Sequence, residues 1–188
     1  MQNIKENKIC LVTRIAIKEK KLSETIANNF LKNILGEQFI HSELWFPTYL
    51  AGAENSFSSR GRIKNCTANK KGVQFAKVDY NVGKWIFTPL SRIPKSEYEN
   101  IYALCLELVG REYDTLGAIF NCGFGFKKVD KVDKDWCSEV IASVIGMYYG
   151  IKNDNFTPGQ LFRRVKGQNT FTELRTIGQR CNLTYNDI

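Results

Sequence analysis

Apolar residues change their spacing partway along this chain, and that change limits the fold more than any other feature. Up to Leu90 they fall mostly in short runs or strict alternation; beyond Pro94 they recur every three or four residues. Ile9-Cys10-Leu11-Val12-Thr13 suits a buried strand, and Phe39-Ile40-His41-Ser42-Glu43-Leu44-Trp45-Phe46 has strand composition. Ser56-Phe57-Ser58-Ser59-Arg60 makes a further short strand. Val73 to Val78 alternates, with Val73 and Phe75 on one face and Gln74, Ala76 and Val78 on the other. Lys84 to Leu90 forms the next strand, ended by Pro89. One helix interrupts this series: Ser23 caps it, Ile26, Ala27, Phe30, Leu31, Ile34 and Leu35 recur at helical spacing, and Gly36 stops it.

The second half reads as helices. Pro94 opens a segment reaching Val109, with Tyr98, Ile101, Tyr102, Cys105, Leu108 and Val109 on its apolar side. Asp114 caps a short helix to Phe120. A longer one, capped by Asp135 and with 137, 140, 141, 144, 145 and 148 on its inward stripe, runs to Tyr148 and stops at Gly150, and Thr157 starts another short one through Phe162. Strand, helix, antiparallel strands, then helices is an α+β order. At 188 residues the chain is expected to form one domain, with 168–188 a C-terminal extension.

Composition narrows the function classes. A hydrophobic share of 43% excludes a disordered chain, and no apolar run reaches membrane-spanning length. The polar start does not resemble a signal peptide, so a cytoplasmic protein is expected. Six cysteines at 10, 66, 105, 122, 137 and 181 form no CxxC pair, and with one histidine in the chain no metal site or cofactor is expected. The glycine-rich Asn121–Phe126 lacks the ending of a phosphate loop and reads as a turn or mobile loop, leaving open whether 121–133 is a lid. A net charge of +8 suits an anionic cell wall or membrane surface, while no motif points to specific nucleic-acid binding.

Chemistry concentrates on His41 and Cys137. Cys137 falls in the first turn of its helix, where unpaired N–H groups and the helix dipole favour a thiolate and can later hold an oxyanion. The bland reading is a packed core thiol. His41 is the natural base for such a thiol, against the alternative of a structural histidine. Glu43, two residues on, shares its strand face and is read either as the group that orients the imidazole or as an ordinary exposed charge.

The run His41-Ser42-Glu43-Leu44, then Trp136-Cys137-Ser138-Glu139-Val140-Ile141-Ala142, then Thr157-Pro158-Gly159-Gln160-Leu161 resembles the circularly permuted papain-like fold of the NlpC-type cysteine peptidase superfamily. Intermediate segments, among them Phe57-Ser58-Ser59-Arg60 and Tyr113-Asp114-Thr115-Leu116-Gly117, are similar to phage-encoded members, and the resemblance spans roughly Ile9 to Phe162. It implies a small antiparallel sheet packed against the cysteine helix, a Cys137 nucleophile, a His41 base, and a third polar residue. Many members carry an acid on the strand after the histidine strand, where this chain has Ser58 and Ser59. Glu43 is the expected substitute, with Gln74 as another option and Tyr113 as an oxyanion or substrate contact. The implied activity is a peptidase or amidase acting on cell-wall peptides. A lipid acyltransferase or phospholipase, and a non-catalytic virion or host-interaction protein, are the alternatives.

Overall fold

The computed structural model describes residues 8–17, 25–26, 29, 32–33, 37–60, 72–78, 80, 83–113, 134–151 and 156–180, with the backbone alone for 134–135 and 170–180. It is a mixed α+β structure. Five antiparallel strands, β1 (Cys10–Ile15), β2 (Phe39–Trp45), β3 (Ser56–Arg60), β4 (Gly72–Ala76) and β5 (Trp85–Pro89), form one sheet in the order β4-β3-β2-β1-β5. Four helices with described bounds accompany it: α1 (Thr48–Ala51), α2 (Tyr98–Leu108), α3 (Cys137–Tyr149) and α4 (Pro158–Arg180). The two-residue strands β6 (Glu112–Tyr113) and β7 (Lys134–Asp135) pair in parallel.

β1 is an interior strand, flanked by β2 and β5, and its residues from Cys10 to Thr13 are buried on both faces. A strand covered on both sides reads as a continuous apolar run rather than as alternation, which is how it stands in the sequence. The β1–β2 register sets Arg14 opposite His41, Val12 opposite Glu43 and Leu11 opposite Leu44. β3 pairs with β4 along all five residues but meets β2 only at Leu44–Phe57 and Trp45–Ser56. The sheet therefore opens between the His41 end of β2 and the Arg60 end of β3.

α3 packs Val140, Ile141, Val144 and Ile145 into a core with Leu11, Leu44, Phe57 and Leu90. Nearly every residue of this helix is buried; Met147, 82% exposed, is the main exception. Tyr149, rather than the expected Tyr148, is fully buried, and its hydroxyl donates to Asn169 Oδ1 at 3.0 Å. Gly150 ends the helix in the left-handed conformation (φ 59°).

The helix expected to finish near Phe162 runs instead to Arg180 as α4. Asn169 of that continuation is buried and also donates to the Pro89 carbonyl, so the segment at 168–169 packs against the body. Thr157 and Gln160 form a reciprocal cap at its start: Gln160 Oε1 accepts from the Thr157 N–H at 2.9 Å, and Thr157 Oγ1 accepts from the Gln160 N–H at 3.2 Å. Glu37, just ahead of β2, joins them, accepting from the Gly159 N–H at 2.8 Å and from Arg163 at 3.0 Å. A Cβ on Gly159 would stand 1.9 Å from the Glu37 carboxylate, so the Thr-Pro-Gly-Gln run fastens α4 to the base of the histidine strand.

Other expectations shift. Val109 and Ile26, both placed on apolar faces, are 45% and 60% exposed. Tyr113 lies in β6 and not at a helix start, because its backbone is engaged in the pairing with Asp135. The rest of the expected 114–120 helix and the loop at 121–133 lie outside the described residues.

Candidate active site

Alternation along β2 turns His41 and Glu43 to one side, and the structure joins them: His41 Nε2 stands 3.1 Å from Glu43 Oε1. Glu43 is not the exposed charge of the alternative reading. Its side chain is 1% exposed and satisfied on every side, accepting from Ser56 Oγ at 2.7 Å and from the Tyr80 hydroxyl at 2.8 Å, with Arg60 Nη2 at 2.9 Å. Ser56 and Arg60 reach it because β3, with the same alternation, presents residues 56, 58 and 60 to the Glu43 side of the sheet.

α3 delivers the thiol. Its N-cap is Trp136 and not the expected Asp135, whose backbone is held in β7. An indole cannot accept a hydrogen bond, so the capping falls to Glu139, which accepts from the Trp136 N–H at 3.3 Å. Cys137 is then the first helical residue, 6% exposed. Its sulfur meets the His41 ring and the backbone N–H groups of Ser42 and Ser138. With Nε2 turned to Glu43, the ring nitrogen left for the thiol is Nδ1.

Burial alone would raise the Cys137 pKa; the imidazolium charge, its hydrogen bond and the two N–H groups overcome it and bring the thiol below its ordinary value. Burial likewise pulls His41 down, but the thiolate and Glu43 outweigh it and hold the imidazole up at about 9. Glu43, despite burial, is kept well below the usual carboxylate range by Arg60 and by His41. The contrast is Cys105, fully buried in α2 among apolar neighbours, where burial pushes the thiol up with nothing to oppose it. Chemically, the first site is a proton-sharing thiol and imidazole with N–H donors at the sulfur.

The remaining candidates are placed elsewhere. Ser58 donates to the Ser42 carbonyl at 2.7 Å and so steadies the peptide beside the thiol. Ser59 alternates to the opposite side of β3 and is fully buried. Gln74 donates to the Gly72 carbonyl at 3.4 Å, within its own strand. Tyr113 is half-buried, and its backbone pairs with Asp135, two residues before Cys137.

Ser56, Arg60 and Tyr80 escaped the sequence reading. Carrying the alternation of β3 from Ser58 on to Arg60 would have found the arginine; Tyr80, outside the five strands, offered no signal. Among the described residues no group of three or more His, Cys, Asp or Glu side chains is arranged to hold a metal ion. Among the described residues three buried polar atoms lack a partner: Thr13 Oγ1, Ser42 Oγ opposite it, and Trp136 Nε1. Comparison with protein-family models, with curated proteins and with solved structures returns no match to this chain.

Proposed function

We propose that this protein is a cysteine-dependent hydrolase of the peptidase or amidase kind, working through a Cys137 thiolate. The observation that carries the reading is the thiol at the first position of α3 set against an imidazole whose far nitrogen is held by a buried carboxylate. His41 Nδ1 takes the thiol proton, the thiolate attacks an amide or ester carbonyl, and the imidazolium returns the proton to the leaving group. Water, deprotonated by the same imidazole, then releases the acyl group. The N–H groups at the start of α3 suit the oxyanion of each tetrahedral intermediate. Glu43 holds the ring in the tautomer and orientation this needs, the role the sequence assigned to a third polar residue.

The order of a histidine strand before a cysteine helix, with that helix laid on an antiparallel sheet, supports a permuted papain-like arrangement. Half-buried Trp85, Tyr80, Phe87 and Trp45 continue the His41 side of the sheet, with Trp85 edge-on to the imidazole at 6.3 Å between centroids. That aromatic strip favours a second reading, an acyltransferase or lipase taking an apolar acyl chain. A +8 chain is suited to substrates presented on an anionic wall or membrane.

The test is reaction with p-nitrophenyl acyl esters, followed by mass spectrometry of the intact protein. The reading expects an acyl adduct on Cys137 and turnover that falls at least ~100-fold in His41→Ala, the usual weight of a general base. Turnover unchanged in Cys137→Ala would overturn it, and a wild type with neither adduct nor turnover would leave a binding protein.

A further inference from the structure

A thiolate and its imidazole need an acceptor for the ring, which Glu43 supplies; they do not by themselves account for Arg60. Burying a guanidinium is costly, and here it is 1% exposed. Its Nη2 lies 2.9 Å from Glu43 Oε1 and donates to Ser56 Oγ at 2.6 Å, while Ser56 in turn donates to Glu43 Oε2. Glu43 Oε1 is also the oxygen that faces His41 Nε2. One carboxylate oxygen is shared between a permanent cation and the imidazole.

The formal charges of the buried group decide what that sharing does. With thiol and imidazole neutral, Arg60 and Glu43 cancel. After the proton passes from Cys137 Sγ to His41, the four groups still cancel. Adding a solvent proton to the thiolate leaves a net positive charge in a water-poor site, which is disfavoured. Remove Arg60 and the order reverses: ionised Glu43, imidazolium and neutral thiol become the neutral set, and the thiolate form carries the excess charge.

We propose that Arg60 is a positioning residue of this site whose buried charge keeps the imidazolium–thiolate pair electroneutral, puts the excess charge on the form with a protonated thiol, and so sets the lower pH limit of Cys137 reactivity. The inference rests on Cys137 acting as a thiolate. Other groups face the cluster: Arg14 stands opposite His41 on β1, the Tyr80 hydroxyl donates to Glu43, and Glu139 lies in the first turn of α3. Arg14 and Glu139 have opposite formal charges, and the test alters none of the three.

The experiment is the pH dependence of iodoacetamide alkylation at Cys137, read by mass spectrometry on the folded full chain. Arg60→Met and Arg60→Lys are each made in the wild type, and Arg60→Met also in a Glu43→Gln background. In that background no carboxylate loses its cation, so a fold failure of the single variant does not decide the matter. Arg60→Met raises the midpoint of the acid limb by about one pH unit in both backgrounds, roughly a tenfold slower reaction at a pH on the parent's plateau. Arg60→Lys stays near wild type. Profiles that overlay their parents, or a Lys variant displaced as far as the Met variant, overturn the role of charge. A wild type lacking any plateau below the free-thiol pKa instead overturns the thiolate reading itself.

Discussion

Replacing Glu43 by glutamine tests whether the buried carboxylate and Arg60 act as one unit. At 2.9 Å and an effective dielectric of about 20, their attraction is roughly 6 kcal/mol before desolvation. Both side chains are 1% exposed, so most of that gain offsets the cost of removing two ions from water. Breaking the pair is a different matter, because one charge then stays buried without its partner. Glu43→Gln and Arg60→Met should each cost about 3–5 kcal/mol, a large share of a domain's usual 5–15 kcal/mol. The double variant carries no unpaired ion and should cost clearly less than the sum, with a coupling of about 2 kcal/mol or more. Urea unfolding at pH 7, with midpoints and slopes for all four proteins, measures it. Additivity within about 0.5 kcal/mol would refute the reasoning, since it would mean that water reaches one ion when the other is gone.

The depressed pKa of Glu43 makes stability pH-dependent in a stated direction: its contribution is full above its unfolded value near 4.3 and is lost as pH falls toward its native one. Thermal melts between pH 7 and 3 should slope less steeply in Glu43→Gln, and parallel slopes would remove this residue from the account. At Gly159, an added Cβ must expel the Glu37 carboxylate, losing its bonds to the 159 N–H and Arg163. Gly159→Ala should therefore destabilise by about 1–3 kcal/mol despite alanine's better helix propensity, and become neutral or stabilising in a Glu37→Ala background; urea titration separates the cases. At pH 7 Cys137 should alkylate at least ~10-fold faster than Cys105 in the folded chain, as mapped by peptide mass spectrometry, because the imidazolium beside it lowers its thiol while burial raises that of Cys105.

Strand identity was legible wherever burial was one-sided or complete. β1 announced itself by an unbroken apolar run because both its faces are covered, whereas β4 alternates in sequence but not in burial, Ala76 being as buried as Val73. Cys137 and His41 could be paired because a helix start and an isolated imidazole are local signals. The length of α4 was not legible, because beyond Phe162 its sequence is polar and what holds Asn169 is contact with Tyr149 and Pro89 from distant parts of the chain. The same limit hid Tyr80, whose only relevant property is where the fold puts its hydroxyl. Asp135 misled for the opposite reason: a good N-cap residue stood at the right place, but the β6–β7 pairing claimed its backbone and moved the helix start by one position.

The opening between β2 and β3 is what makes room for the charged cluster. A continued ladder would set Ser42 against Ser59 and Glu43 against Ser58. Instead the Ser42 carbonyl is satisfied by the Ser58 hydroxyl at 2.7 Å, a side chain standing where backbone pairing would otherwise run. With the strands parted, the Arg60 guanidinium reaches back to Ser56 and Glu43, and the Ser42 N–H is left to the Cys137 sulfur. Closing the ladder would satisfy the backbone just as well, but it would take that N–H from the thiol. The lost pairing is thus tied to the thiol: Ser42, whose carbonyl forgoes the sheet, is also the residue whose N–H faces Cys137.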